Sequence, residues 1–424
     1  MASYAPLCKK QADYILRSRE CWLNVAEGGK RAGKNIMNLI AWATCLDNHP
    51  DKIHLAAGVS ISAARLNIID SNGFGLESLF KGRCVFRQYE GRDALRIQSK
   101  TGEKIVLITG GGDAGSVPKI KGNTYGSVYV TEANECHKDF IEEVFTRTLT
   151  SQDRKIFFDL NPKPPAHWFY KDILDFYDKA SAEGSIEGYN YEHFTVFDNL
   201  SISTSKIKLL LTTYDRSSLW YKRDILGLRA TAEGLIYSEF SEEKSVYEEL
   251  DEKIRERCLG YVTIDYGTAN PCVFLHVLYD PQDRVAYIDR EYYYDGRKEQ
   301  KQKSDAEYGE DILLFAPPKS VPGGIVIDPS ALSFRVVLKR LGYRVKEANN
   351  DVLDGIHEVA TLMSIGKLKV NRRCEKTLEE FGSYSWDEKA AEMGVEKPIK
   401  QNDHACDAIR YFVRTIIKMR SVLR

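Results

Sequence analysis

Cys21-Trp22-Leu23-Asn24-Val25-Ala26, then Glu27, then Gly28-Gly29-Lys30-Arg31-Ala32-Gly33-Lys34-Asn35, is the stretch on which the fold turns. Residues 21–26 predict a short strand, and Ile36, Met37, Ile40 and Ala41 then recur at helical spacing. In the order strand, glycine loop, helix, Gly28 and Gly33 let the backbone curl until consecutive amides face phosphate oxygens. Lys34 adds a point charge and the helix N-terminus its dipole, so ATP is the ligand expected. Asn35 stands where a Ser or Thr hydroxyl usually meets magnesium, so an amide oxygen would have to substitute. Read without chemistry, the same residues make a glycine-rich surface turn.

Outward from that loop, 105–109, Ser127–Val130 and Lys155–Leu160 read as buried strands that alternate with helical patterns, which predicts a mostly parallel sheet. The second of these runs into Thr131-Glu132-Ala133-Asn134-Glu135, and Glu132 is the candidate to orient an attacking water. Thr131 occupies a place where an Asp is common. The bland alternative makes Glu132 and Glu135 first-turn acids of a helix. The third strand ends in Asp159-Leu160-Asn161-Pro162, where a polar side chain can sense a terminal phosphate.

The 424 residues exceed what one hydrophobic core usually organises, so two domains are expected. A charged stretch at 241–257 reads as a linker with a solvated helix, dividing a domain at 1–240 from one at 258–424. In the second half, 261–266, 273–278 and 285–293 predict three antiparallel strands. A fourth strand at 325–328, another near 343–345 and helices opening at Asp351 and Asp403 follow.

Three acidic motifs sit on this frame: Asp265 in Thr263-Ile264-Asp265-Tyr266-Gly267, Asp328 in Ile327-Asp328-Pro329-Ser330, and Asp403-His404-Ala405-Cys406-Asp407-Ala408. Asp265 and Asp328 close neighbouring strands, and the i, i+4 spacing of Asp403 and Asp407 puts both on one helical face. Converging carboxylates suit two divalent ions about 3.5 to 4 Å apart that hydrolyse a phosphodiester, with Mg2+ or Mn2+ the ions preferring such hard oxygens. Asp265, Asp328 and Asp407 are the candidate metal ligands, and His404 or Asp403 supports them. The plain alternatives are a helix cap for Asp403, a satisfied polar histidine for His404 and a strand-to-helix turn for Asp328. Glu291 is a further acidic candidate, and the basic stretches 297–303 and 389–400 are candidate contacts to DNA phosphates.

Taken together, the glycine loop, Thr131-Glu132-Ala133, Arg147, Asn161-Pro162, Trp220-Tyr221-Lys222-Arg223-Asp224-Ile225-Leu226-Gly227 and the Asp-His-x-x-Asp-Ala-x-Arg-Tyr motif resemble the large terminase subunit of tailed bacteriophages. The resemblance implies an α/β chain of two domains: a P-loop NTPase with a mostly parallel sheet, then a ribonuclease H-like nuclease with a mixed sheet. It implies that Lys34 contacts the β- and γ-phosphates, Glu132 is the catalytic carboxylate and Asn161 couples hydrolysis to DNA movement. Lys121 and Arg147 are both candidates for a cation acting in trans. Implied partners are double-stranded DNA, a small terminase subunit and the procapsid portal, with a homo-oligomeric ring during packaging and, for many members, a monomer in solution.

Formal net charge is −1, so DNA contact has to come from local Lys and Arg clusters. Nine cysteines without a Cys-x-x-Cys pair fit reduced thiols rather than a disulfide framework or a zinc site. Residues 1–6 carry no secretory pattern and no apolar run is long enough to cross a bilayer, so the expected place is the host cytoplasm, without a membrane partner. Two other classes fit the residues less fully. One is a recombination or repair nuclease of the resolvase type joined to an ATPase. The other is a DNA-binding adaptor whose ATP site has degenerated, motivated by Asn35 and Thr131.

Overall fold

The computed structural model describes residues 6–417 apart from 215, 217, 239, 268 and 269, so residues 1–5, over which a secretory pattern was sought, lie outside it. The chain divides into two compact units, Met1–Leu209 with Leu219–Thr231, and Leu210–Ser218 with Ala232–Arg424.

The first unit is built on eight strands: β1 (Leu23–Gly28), β2 (Ile53–Gly58), β3 (Cys84–Phe86), β4 (Ala94–Ser99), β5 (Gly102–Gly110), β6 (Ser127–Val130), β7 (Lys155–Leu160) and β8 (Tyr189–Phe194). Their order is β3-β4-β5-β2-β6-β7-β1-β8, parallel except where β4 meets β3 and β5. Strands β1, β6 and β7 are buried at every position, as central parallel strands covered on both faces must be. Strand alternation sends Phe157 into one apolar layer with Met37, Trp42 and Leu46 of the helix Lys34–Asn48. Phe158 goes into the other layer, with Phe140, Ile141 and Val144 of the helix Lys138–Thr148. The strand expected at 21–26 runs two residues further, because Gly28 pairs with Phe194 of β8. A β-carbon on Gly28 would overlap the Phe194 carbonyl, so the loop has to begin with a glycine.

The second unit holds β9 (Val246–Tyr247), β10 (Leu259–Asp265), β11 (Cys272–Asp280), β12 (Val285–Tyr294), β13 (Gly324–Ile327), β14 (Val345–Glu347) and β15 (Leu368–Asn371). The order is β14-β13-β10-β11-β12-β15-β9, with β10, β11 and β12 antiparallel and the other pairings parallel. The helix His404–Phe412 is buried from Ala405 to Phe412, and the Ala408 carbonyl accepts from the Thr263 hydroxyl of β10.

The charged stretch 241–257 is not a free linker. Val246 and Tyr247 pair with Val370 and Asn371, so the edge of the second sheet lies inside it, and the second unit takes in Leu210–Ser218 and the chain from Ala232 on. Two paired residues leave too little apolar pattern for a strand to show against so many Glu and Lys. Among the described residues no helix is long and apolar enough to cross a membrane.

Candidate functional site

Where β1 ends, the loop turns through Arg31 at φ 62° and Gly33 at φ 85°, and the helix Lys34–Asn48 starts. Gly29 packs against the Asp224 carbonyl, Gly227 against the Gly29 amide, and Lys30 pairs with Asp224 at 3.1 Å. The stretch 220–227 is therefore the wall on which the glycine loop rests. Lys34 is only 7% exposed, and its ammonium donates to the Gly28 and Gly29 carbonyls at 2.7 and 2.8 Å and to Asn161 Oδ1 at 3.3 Å. Burial pulls its pKa down to about 8 against the raising influence of Asp159, Glu132 and Glu27.

Facing it, Glu132 adopts a left-handed φ of 51°, a costly conformation for a non-glycine, and Asp159 Oδ1 fixes it by accepting from its amide at 3.0 Å. Asn161 Nδ2 donates to Glu132 Oε1 at 3.1 Å. Burial, and then Asp159 and Glu135, push the Glu132 carboxyl above the usual range. Ala133–Glu135 forms a single 3-10 turn with Glu132 at its cap position and Glu135 as its first-turn acid. Gly33, Lys34, Asn35, Glu132, Asp159 and Asn161 line one cavity of about 620 Å3. Lys121 and Arg147 are not among its lining residues; Arg147 pairs with Glu143 at 2.6 Å.

Asn35 departs from the expectation of an available amide oxygen. Its Nδ2 donates to the Asn67 carbonyl at 2.9 Å and to Tyr129 Oη at 3.2 Å, and its Oδ1 accepts from Ser71 at 3.0 Å.

The second constellation lies where β10 and β13 end. Asp265, Asp328, Asp403, His404 and Asp407 line one cleft of about 450 Å3. His404 Nδ1 meets Asp265 Oδ2 at 2.8 Å; burial lowers the imidazole pKa, but the Asp265 contact prevails and holds it above the ordinary value. Burial raises the Asp265 carboxyl, with Asp407 and Asp403 adding to the effect and His404 opposing it. Tyr411 Oη donates to Asp328 Oδ2 at 2.9 Å and lies 3.4 Å from Asp265 Oδ1, bridging the two strand ends.

Asp328 Oδ1 accepts from the Ser330 amide at 2.7 Å, the bond of a strand-to-helix turn, and the same residue lines the cleft. Burial works against its ionised form, yet the bonds from Ser330 and Tyr411 keep the carboxyl below the usual range. Asp403 sits at the cap position without a side-chain cap bond, and Lys400 instead lies 3.1 Å from Asp403 and 3.2 Å from Asp407. Arg410 holds the other Asp407 oxygen at 3.0 Å. With each carboxylate satisfied by protein donors, no group of three or more His, Cys, Asp or Glu among the described residues encloses a metal in these rotamers. The donor set is nevertheless all hard oxygen on rigid elements, which suits a magnesium- or manganese-like ion.

Glu291 lies elsewhere: it accepts from the Lys376 and Thr377 amides and so caps the helix Glu375–Phe381. Within 297–303, Arg297 and Lys298 line the acidic cleft, whereas Lys301 and Lys303 pair with Glu307 and Asp311. Of 389–400, Lys400 reaches the cleft. Sequence reading missed Glu380, which is 3% exposed and accepts from the Ala405 and Cys406 amides at 2.7 and 3.1 Å, and from Tyr293. It holds the first turn of the helix that carries His404 and Asp407 from a distant position, and burial pushes its pKa up to about 7.

Residues 88–228 match the family model described as phage terminase large subunit, and 262–415 match the terminase RNaseH-like domain. The chain is similar to the large terminase of a thermophilic bacteriophage, with a TM-score of 0.84 and 34% identity over 97% of this chain and all of that one. The same thermophilic phage protein in complex with ADP gives a TM-score of 0.82 at 34% identity over the same shares. A curated relative, the terminase large subunit of Escherichia phage T5, is 29% identical over 173 residues, 39% of this chain and 36% of the T5 protein's length.

Proposed function

Because the chain belongs to the phage terminase large subunit family, we propose that it couples ATP hydrolysis to translocation of double-stranded DNA into a procapsid and cuts concatemeric DNA by a two-metal mechanism. The observation carrying this reading is that two chemically opposite sites, a phosphate cradle around Lys34 and a cleft of convergent aspartates, occur on the two units of one chain. Binding of ADP by the thermophilic phage protein supports the first.

In the cradle, Lys34 exchanges its carbonyl partners for β- and γ-phosphate oxygens, and Asn161 holds the Glu132 carboxylate where it can orient the attacking water. In the cleft, Asp265, Asp328 and Asp407 would hold Mg2+ or Mn2+, which when bound supplies Lewis acidity and an ionised water. Tyr411 keeps Asp265 and Asp328 in register, and His404 orients Asp265. A small terminase subunit, the portal and a ring of copies complete the proposed machine. Cutting would show little sequence preference, because backbone hydrolysis needs no base readout.

The test is a pair of assays on the full chain. DNA-stimulated ATP turnover is expected to vanish in Lys34→Ala, and manganese-dependent plasmid cutting in Asp265→Ala. Wild-type protein that turns over no ATP would favour the adaptor reading, and a preference for branched over linear DNA would favour the resolvase reading.

A further inference from the structure

The nucleotide cavity lacks an acid where one is expected. Residue 131 is a threonine, and the amide of Asn35 is tied to Asn67, Ser71 and Tyr129. The nearest substitute comes from the adjacent strand. Val130, the last residue of β6, pairs with Phe158 of β7, so Thr131 and Asp159 follow at the same level one strand spacing apart, about 4.8 Å.

Asp159 is 4% exposed and lines the same cavity as Lys34, Asn35 and Glu132. Its hydrogen bonds come from Tyr129 Oη at 2.6 Å, from the Glu132 amide at 3.0 Å and from the Thr131 side chain. None of these donors carries a charge, whereas the Lys34 ammonium is spent on two carbonyls and Asn161. Tyr129 also accepts from Asn35, so Asn35, Tyr129 and Asp159 form one chain across the floor of the cavity. Burial raises the Asp159 pKa and outweighs the help of the Lys34 ammonium, whose charge eases ionisation but whose hydrogen bonds go to Gly28, Gly29 and Asn161, so a further cation would stabilise the ionised form.

Building on the nucleotide-site reading, we propose that Asp159 replaces the carboxylate missing at 131 and orders the water shell of the magnesium ion that accompanies ATP, with Tyr129 and Asn35 holding it in place. A sideways shift of one strand spacing suits this role. Magnesium keeps several of its waters, and a contact made through water tolerates a displacement that direct ligation would not. The same carboxylate fixes the Glu132 amide, so the ion and the water-orienting residue would be set by one side chain.

Binding of mant-ADP to the full chain, in magnesium and in EDTA, tests this. Wild type is expected to bind about tenfold more tightly in magnesium, as for one charge-assisted contact. Asp159→Asn should lose most of that gain, its affinity in EDTA falling far less, since the Asn oxygen can still accept from the Glu132 amide. Adding Thr131→Asp to Asp159→Asn should restore it. If Asp159→Asn fails to fold, Tyr129→Phe, which keeps the ring, should reduce the magnesium gain alone. An unchanged magnesium gain in Asp159→Asn, or an equal loss in both media, would overturn the proposal by leaving Asp159 a purely structural acid. Wild type that binds no mant-ADP in either medium would remove the nucleotide site itself.

Discussion

The two sites are electrostatic opposites. In the first unit one buried cation, Lys34, is surrounded by amides, carbonyls and two fixed acids, a setting that gains when an anion arrives. In the second, Asp407 and Asp403 add to the cost of ionising the buried Asp265, and Lys400, His404 and Arg410 pair with these acids, a setting that gains when cations arrive. The backbone explains the contrast. A parallel sheet with a glycine loop aims N–H groups at one point, whereas the strand ends of a mixed sheet and a buried helix bring side chains together from remote segments. An anion can thus be held mostly by main chain, but a cation pair needs carboxylates.

Breaking one site without the other gives the largest expected effect. Asp265→Ala or Asp407→Ala should take manganese-dependent plasmid cutting below detection while DNA-stimulated ATP turnover persists; cutting that survives either change removes that residue from the metal site. His404→Ala should slow cutting by roughly 10- to 100-fold, the usual loss when a residue that orients a ligand is removed. A smaller loss would return His404 to a merely satisfied polar side chain.

Next comes a stability effect confined to the second unit. The Glu380 pKa is raised from 4.5 to about 7, so the folded state holds a proton that the unfolded state releases. Its stabilisation is complete below about pH 4.5 and is lost as pH climbs to about 7. Denaturant unfolding of that unit should lose on the order of 2 kcal/mol across the window, and Glu380→Gln should flatten the slope. An identical slope in the variant would refute the assignment. Smallest is Lys400→Met. The lysine side chain is 62% exposed, so its pairing with Asp403 and Asp407 is worth little, and the manganese concentration for half-maximal cutting should fall by no more than about fivefold. A rise instead would make Lys400 a helper of the ion or the DNA.

Legibility followed the range of the signal. Strands β6 and β7 were readable to the residue because each is a short, fully buried apolar run between polar turns. Asp265, Asp328 and Asp407 were readable as strand-end and helix-face acids, and the structure gathers them in one cleft. Glu380 was not, because its partners are main-chain amides 25 and 26 positions away and nothing local marks it. Glu291 misled for the converse reason: a strand acid looks catalytic until the helix it caps, 86 positions on, is placed beside it. Asn35 and Thr131 advertised a defect in the sequence, but its proposed remedy on β7 needed strand register.

The short excursion Leu210–Ser218 belongs with the second unit, although the chain on either side of it belongs to the first. Within the second unit the Ser364 hydroxyl reaches the Thr213 carbonyl, and Tyr214 packs on His357. A gene cut at the apparent interdomain seam would therefore amputate a piece of the wrong half. Expression clones of the amino-terminal portion should tolerate replacement of this excursion by a short flexible bridge, and protease protection of its backbone should track the fate of the carboxy-terminal portion.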